Sequence, residues 1–170
     1  SAGRETLTLL RTFVDSPPVE ARIIDEDDQI IGYLRIPLIS AGKAEEARQQ
    51  IERLTSEGAT SLVLDLRNSV GGTGTEAIEL ANLFLNSGTL GYIEGQTVDR
   101  ETFTASPTGG TNFEFPLAVL INEGTANAAE IAAGAIRDND RGAVVGVRTF
   151  GLASVQRLLP LESGWALLLS

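Results

Sequence analysis

An α/β fold, with a single β-sheet layer flanked by helices, is the architecture that this 170-residue sequence predicts. Three observations carry the reading. Patterns alternate between residues 29 and 85 in the order strand, helix, strand, glycine loop, helix, as in a parallel layer. The runs SLVLDL at 61–66, PLAVLIN at 116–122 and AVVGV at 143–147 are short and largely apolar, as strands buried on both faces are. Between them, small and aliphatic residues recur at three- and four-residue spacing.

Residues 5–13 (ETLTLLRTF) alternate loosely between polar and apolar, which suits a strand that Ser16-Pro17-Pro18 then ends. Two strands follow at 19–24 and 29–36, around Asp25-Glu26-Asp27-Asp28. That acidic run is read as a solvated hairpin turn rather than a seat for a hard cation. A helix is expected over 41–56, with Ser40 as N-cap, Ala44, Ala47, Ile51 and Leu54 facing inward, and Gly58 as the stop. Residues 61–66 form the next strand, 67–75 a loop and 76–85 a second helix. The turn-rich stretch 88–110 reads as an excursion outside the layer, with short strands near 91–93 and 102–104. A strand at 116–122, an alanine-rich helix at 125–137 and a strand at 143–147 follow, and two strands at 154–161 and 165–169 complete the chain.

Composition narrows the function. With 42% hydrophobic residues, mean hydropathy +0.06 and no apolar run near the roughly 18 residues of a membrane helix, the chain reads as globular and not membrane-spanning. A net charge of −10 repels phosphate backbones and argues against a nucleic-acid partner. The chain has no Cys and no His, and Lys43 is its single lysine, so disulfides and thiolates are excluded and few groups remain to act as a base near neutral pH. No signal peptide is read at the start, where Ser1-Ala2-Gly3 runs straight into charged residues.

Two glycine-bearing turns join a strand to a helix. Arg67-Asn68-Ser69-Val70-Gly71-Gly72-Thr73-Gly74-Thr75 offers backbone N–H groups where an anion could sit, or else is glycine-rich because strand and helix pack tightly. A Walker loop is excluded, since no Lys-Ser or Lys-Thr pair follows the glycines. Asn122-Glu123-Gly124-Thr125-Ala126-Asn127-Ala128 has the same form. In acyl-transfer enzymes such a turn carries the nucleophile, with N–H donors at the helix start holding the oxyanion. Small residues needed only for close packing would leave the same pattern.

The segments GYLRI at 32–36, LVLDLRNSVGG at 62–72, AVLINEGTANAAEIAAGAIRD at 118–138 and VVGVRTFGLASVQ at 144–156 together resemble the C-terminal processing, or tail-specific, serine peptidases. The resemblance implies a crotonase/Clp-like ββα peptidase core over residues 16–170. It also implies that residues 1–15 are a remnant strand from the end of a substrate-binding PDZ module otherwise absent. In that family a Ser/Lys dyad cleaves peptide bonds near protein C-termini. Aligned by motif, Asn127 stands at the nucleophile position and Leu152 at the general-base lysine, at the family's separation. Gln156 stands at the position that supports the lysine, and Gly72 and Ala128 at the two whose N–H groups form the oxyanion hole. The family's usual export implies a periplasmic, cell-envelope or thylakoid-lumen setting, and its substrates imply polypeptide partners.

Both dyad side chains are replaced. An asparagine amide is a very poor nucleophile and leucine accepts no proton, so the chain is expected to be proteolytically inactive as it stands and at most to bind peptide. Thr125 and Ser154 are set aside as substitute nucleophiles, because neither has a neutral base as partner. The alternative is a non-enzymatic hydrophobic-ligand module, retinoid-like, on the same core, with Leu152 suited to an apolar pocket. Neither reading calls for a cofactor or a metal, and the oligomeric state is left open.

Overall fold

The computed structural model describes residues 16–96, 98–107, 113–152 and 157–169. The segment 1–15, expected to be a remnant strand, lies outside them, as do Ser154 and Gln156. β1 (Glu20–Glu26) and β2 (Gln29–Arg35) pair antiparallel around Asp27-Asp28, both with positive φ (50° and 60°), as a two-residue primed turn requires. The acidic run is therefore turn chemistry. The chain continues through α1 (Lys43–Ser56), β3 (Ser61–Asp65), α2 (Gly74–Asn82), the hairpin β4 (Thr89–Gly95) and β5 (Val98–Thr104), β6 (Leu117–Ile121), α3 (Ala128–Asp138) and β7 (Ala143–Gly146). A separate hairpin, β8 (Arg157–Pro160) and β9 (Ala166–Leu169), follows.

The main sheet runs β1-β2-β3-β6-β7, with only the β1–β2 pair antiparallel. Each parallel step moves the same way across the sheet, so right-handed crossovers put all three helices on one face. Register aligns Leu34 with Leu64, Leu62 with Leu117 and Leu64 with Val119. These residues join Ala47, Ile51, Leu54, Ala77, Leu80, Ala129, Ala132 and Ile136 of the helices in the main core. On the opposite face, Val63, Ala118 and Leu120 are only half-buried and Val145 is exposed. The strands expected to be buried on both faces are thus fully covered on one. The β4–β5 hairpin is the anticipated excursion, with Leu90 in a second cluster with Ala81, Leu85 and Ala135. No helix among the described residues is long and apolar enough to cross a membrane.

Helix starts differ from expectation for identifiable reasons. Gly42, at φ 84°, caps α1 in place of Ser40, whose hydroxyl bonds Ser16 at 2.8 Å. The N-terminal amides of α1 are taken by Glu76 of α2, which accepts from Gly42 N at 3.2 Å and Ala44 N at 2.6 Å. An ionised carboxylate at a helix N-terminus binds more strongly than a hydroxyl. α2 starts early because the Thr73 side chain caps it, accepting from Glu76 N at 3.3 Å. α3 starts three residues later than expected because Asn127 takes a left-handed conformation, φ 58°, that no helix continues through.

Candidate active site

The two glycine-bearing turns leave the C-terminal ends of neighbouring parallel strands, β3 and β6, where ligands of open α/β sheets bind. Side chains and backbone lace them together. Asn68 N donates to Asn122 Oδ1 at 2.9 Å, and Asn122 Nδ2 returns to Asn68 Oδ1 at 3.1 Å. Ala126 N donates to Ser69 O at 2.9 Å. Thr125 is wholly buried, and its hydroxyl donates to Leu66 O at 2.8 Å while accepting from Asn122 N at 3.0 Å. That proton is committed to a carbonyl, so Thr125 is a pin between the turns and no substitute nucleophile.

Gly72 brings the first turn against the second. Its φ is 91°, and a Cβ there would lie 1.8 Å from Ile39 O and 3.0 Å from the Ala128 Cβ. Only glycine fits, and the two expected oxyanion positions are thereby neighbours. Among the described residues neither the Gly72 nor the Ala128 N–H has an acceptor. The Ala128 N–H opens α3, where the helix dipole favours negative charge.

Asn127 sits at the bend, partly exposed, with φ 58° and ψ −121°. This is a sharp left-handed strand-to-helix turn, the kind that lifts a nucleophile clear of its backbone in serine hydrolases. The posture is present, and an amide occupies it.

Leu152 reaches the same place through a residue that motif matching passed over. The Glu130 carboxylate accepts from Asn127 N at 3.0 Å, Gly151 N at 2.7 Å and Leu152 N at 2.9 Å. One side chain on the first turn of α3 therefore joins positions 127 and 152. Partial burial pushes the Glu130 carboxyl up, but hydrogen bonds from the Thr149 side chain and from the Gly151, Leu152 and Asn127 amides outweigh it and hold the group below the usual glutamate range. The available signal was the Asn-x-x-Glu spacing of a capping box, 127 to 130. Phe150 N donates to Thr125 O at 3.0 Å and completes the attachment of the 149–152 loop. Gln156 lies outside the described residues.

Lys43 and Asp65 are both paired. Lys43 is buried and paired with Glu46 at 2.6 Å, which leaves the single lysine unsuited to act as a free base. Asp65, at the end of β3, is 1% exposed and accepts from Tyr33 Oη at 2.6 Å and from Arg67 Nη2 at 2.6 Å. Burial raises its carboxyl, yet the Arg67 and Tyr33 bonds hold it below the usual range. The pair anchors Arg67 at the mouth of the first turn. No group of three or more metal-ligating side chains occurs among the described residues.

Known proteins share this chain's sequence pattern and fold. Residues 30–170 match the family model described as peptidase family S41. The chain is 39% identical over 168 residues to a carboxyl-terminal-processing protease of Synechocystis sp., covering 96% of this chain and 39% of that protein. It is 35% identical over 170 residues to carboxyl-terminal-processing peptidase 2, chloroplastic, of Arabidopsis thaliana, covering 96% of this chain and 33% of that one. The solved photosystem II D1 C-terminal processing protease superposes with a TM-score of 0.82 at 29% identity, over 92% of this chain and 43% of that structure. The chain therefore spans well under half the length of these relatives.

Proposed function

The chain belongs to peptidase family S41, and from that premise we propose that it is a proteolytically silent C-terminal processing peptidase core that keeps a seat for extended peptide. The observation that carries the reading is the contrast at position 127, where a nucleophile's left-handed turn holds an asparagine, tied through Glu130 to a leucine at 152. Neither side chain performs the attack or the proton transfer of a Ser/Lys dyad. The N–H groups of Gly72 and Ala128 hold a peptide carbonyl oxygen in this reading, and Gln156 keeps the place of the residue that supports the lysine. Residues 16–170 make up the core, and residues 1–15 correspond to the last strand of a PDZ module. The partner is a polypeptide, and the setting is exported, in keeping with the chloroplastic relative.

Incubation with an unstructured polypeptide ending in apolar residues tests the proposal. The expected result is no cleavage, with weak peptide binding that Gly72→Ala abolishes. Cleavage that an acylating serine reagent stops would overturn it. The hydrophobic-ligand alternative draws no support from a cavity of about 420 Å³ lined by Phe84, Phe113, Glu114 and Arg141, which Leu152 does not border.

A further inference from the structure

The backbone of Asn127 holds a geometry with chemistry of its own. Tetrahedral carbon places Cβ one third of a turn from N about the Cα–C bond, so ψ of −121° eclipses the Asn127 Cβ with the nitrogen of Ala128. Helical ψ near −42° and strand ψ near +135° keep those atoms well apart. Asn139, at ψ 12°, has no such alignment. At Asn127 rotation about χ1 alone carries Cγ onto the Ala128 nitrogen, closing a five-membered ring of Cα, Cβ, Cγ, that nitrogen and the Asn127 carbonyl carbon.

Three further observations bear on the ring closure. The Ala128 N–H has no acceptor among the described residues, so no carbonyl among them holds its proton. The peptide is clamped in this posture from both sides: Asn127 N donates to Glu130 Oε2 at 3.0 Å, and Asn127 O accepts from Glu130 N at 3.0 Å and Ile131 N at 3.3 Å. Asn127 is partly exposed, which admits water.

We infer that Asn127-Ala128 is a self-modification site, where the Ala128 nitrogen attacks the Asn127 side-chain amide and the asparagine is converted through a cyclic imide to an acidic residue. The Ala128 N–Cγ bond forms, the Cγ–Nδ2 bond breaks, and ammonia departs with the amide proton. Water then opens the imide at either carbonyl, leaving aspartate or isoaspartate. Loss of the amide proton is assisted by hydroxide, so the rate rises with pH, and the start of α3 favours the negative charge that develops. Holding ψ in this alignment removes part of the conformational search that an unfolded chain makes at random, and leaves only χ1 to rotate. The inference rests on backbone geometry and is independent of the proposed function.

The test follows the intact chain at mildly alkaline pH in water enriched in oxygen-18, by peptide mapping and mass spectrometry, beside the same chain unfolded in urea. The expected result is heavy oxygen incorporated at residue 127 about tenfold faster, or more, in the folded chain than in the unfolded one. The Asn127→Gln chain, whose ring would be six-membered, is expected to show none of this rapid incorporation there while unfolding at a similar urea concentration. Incorporation at residue 127 that is equal or slower in the folded chain overturns the inference.

Discussion

At the scale of single residues, the site is held by two side chains that perform no proposed chemistry. Glu130 gathers the amides of Asn127, Gly151 and Leu152 on two carboxylate oxygens. Glu130→Gln replaces one acceptor oxygen with a donor and strands at least one of those amides. The expected loss of unfolding free energy is about 1.5–3 kcal/mol, measured by urea denaturation at neutral pH. Because the folded Glu130 carboxyl lies below its usual value of 4.5, its contribution is complete above that pH and is lost as pH falls through the lower folded value. The stability gap between parent and variant is therefore expected to be flat at neutral pH and to close in acid, and a gap that widens in acid would contradict the role. Thr125→Val removes a buried hydroxyl that bonds Leu66 O and Asn122 N, and is expected to cost about 1–3 kcal/mol in the same measurement.

At the scale of elements, the strand-to-helix turns position the site, and their chemistry decides where helices begin. Gly72→Ala would place a methyl against the Ile39 carbonyl at a φ of 91°. The expected loss is about 2–4 kcal/mol, with α1, the first turn and α3 displaced together, readable as hydrogen exchange at the start of α3. Glu76→Ala leaves the α1 amides of Gly42 and Ala44 without their carboxylate and is expected to cost about 1–3 kcal/mol. Strand and helix identities were legible in sequence because apolar spacing is local. The stripe Ala44, Ala47, Ile51 and Leu54 faces the core as its spacing predicts. Helix starts were less legible, since Ser40 lost its capping role to Glu76, which is distant in sequence. The late start of α3 needed the φ of Asn127, a property set by the Asn68–Asn122 lacing and the Thr125 pin rather than by propensity.

At the scale of the whole molecule, the one-directional strand order puts every helix on one face and leaves both glycine-bearing turns at the same end of the sheet. That convergence explains why motifs far apart in the sequence meet at one place. Matching motifs identified positions 72, 127, 128 and 152, and the fold brings Gly72 against Ala128, and Asn127 and Leu152 onto one carboxylate. Glu130 escaped notice because its bonds to Gly151 and Leu152 cross into the second motif, and only the capping-box spacing to Asn127 shows within its own. In the proposed function the frame persists while the two reactive side chains of a Ser/Lys dyad are replaced. The most direct measurement is labelling of position 127 by an acylating serine reagent, read by mass spectrometry of the folded chain after Asn127→Ser and Leu152→Lys together. Labelling at residue 127 is expected in the double variant and not in the parent or in either single variant, because a dyad acts as a unit. Labelling of the Asn127→Ser single variant as fast as the double, or no labelling of a correctly folded double variant, would contradict it.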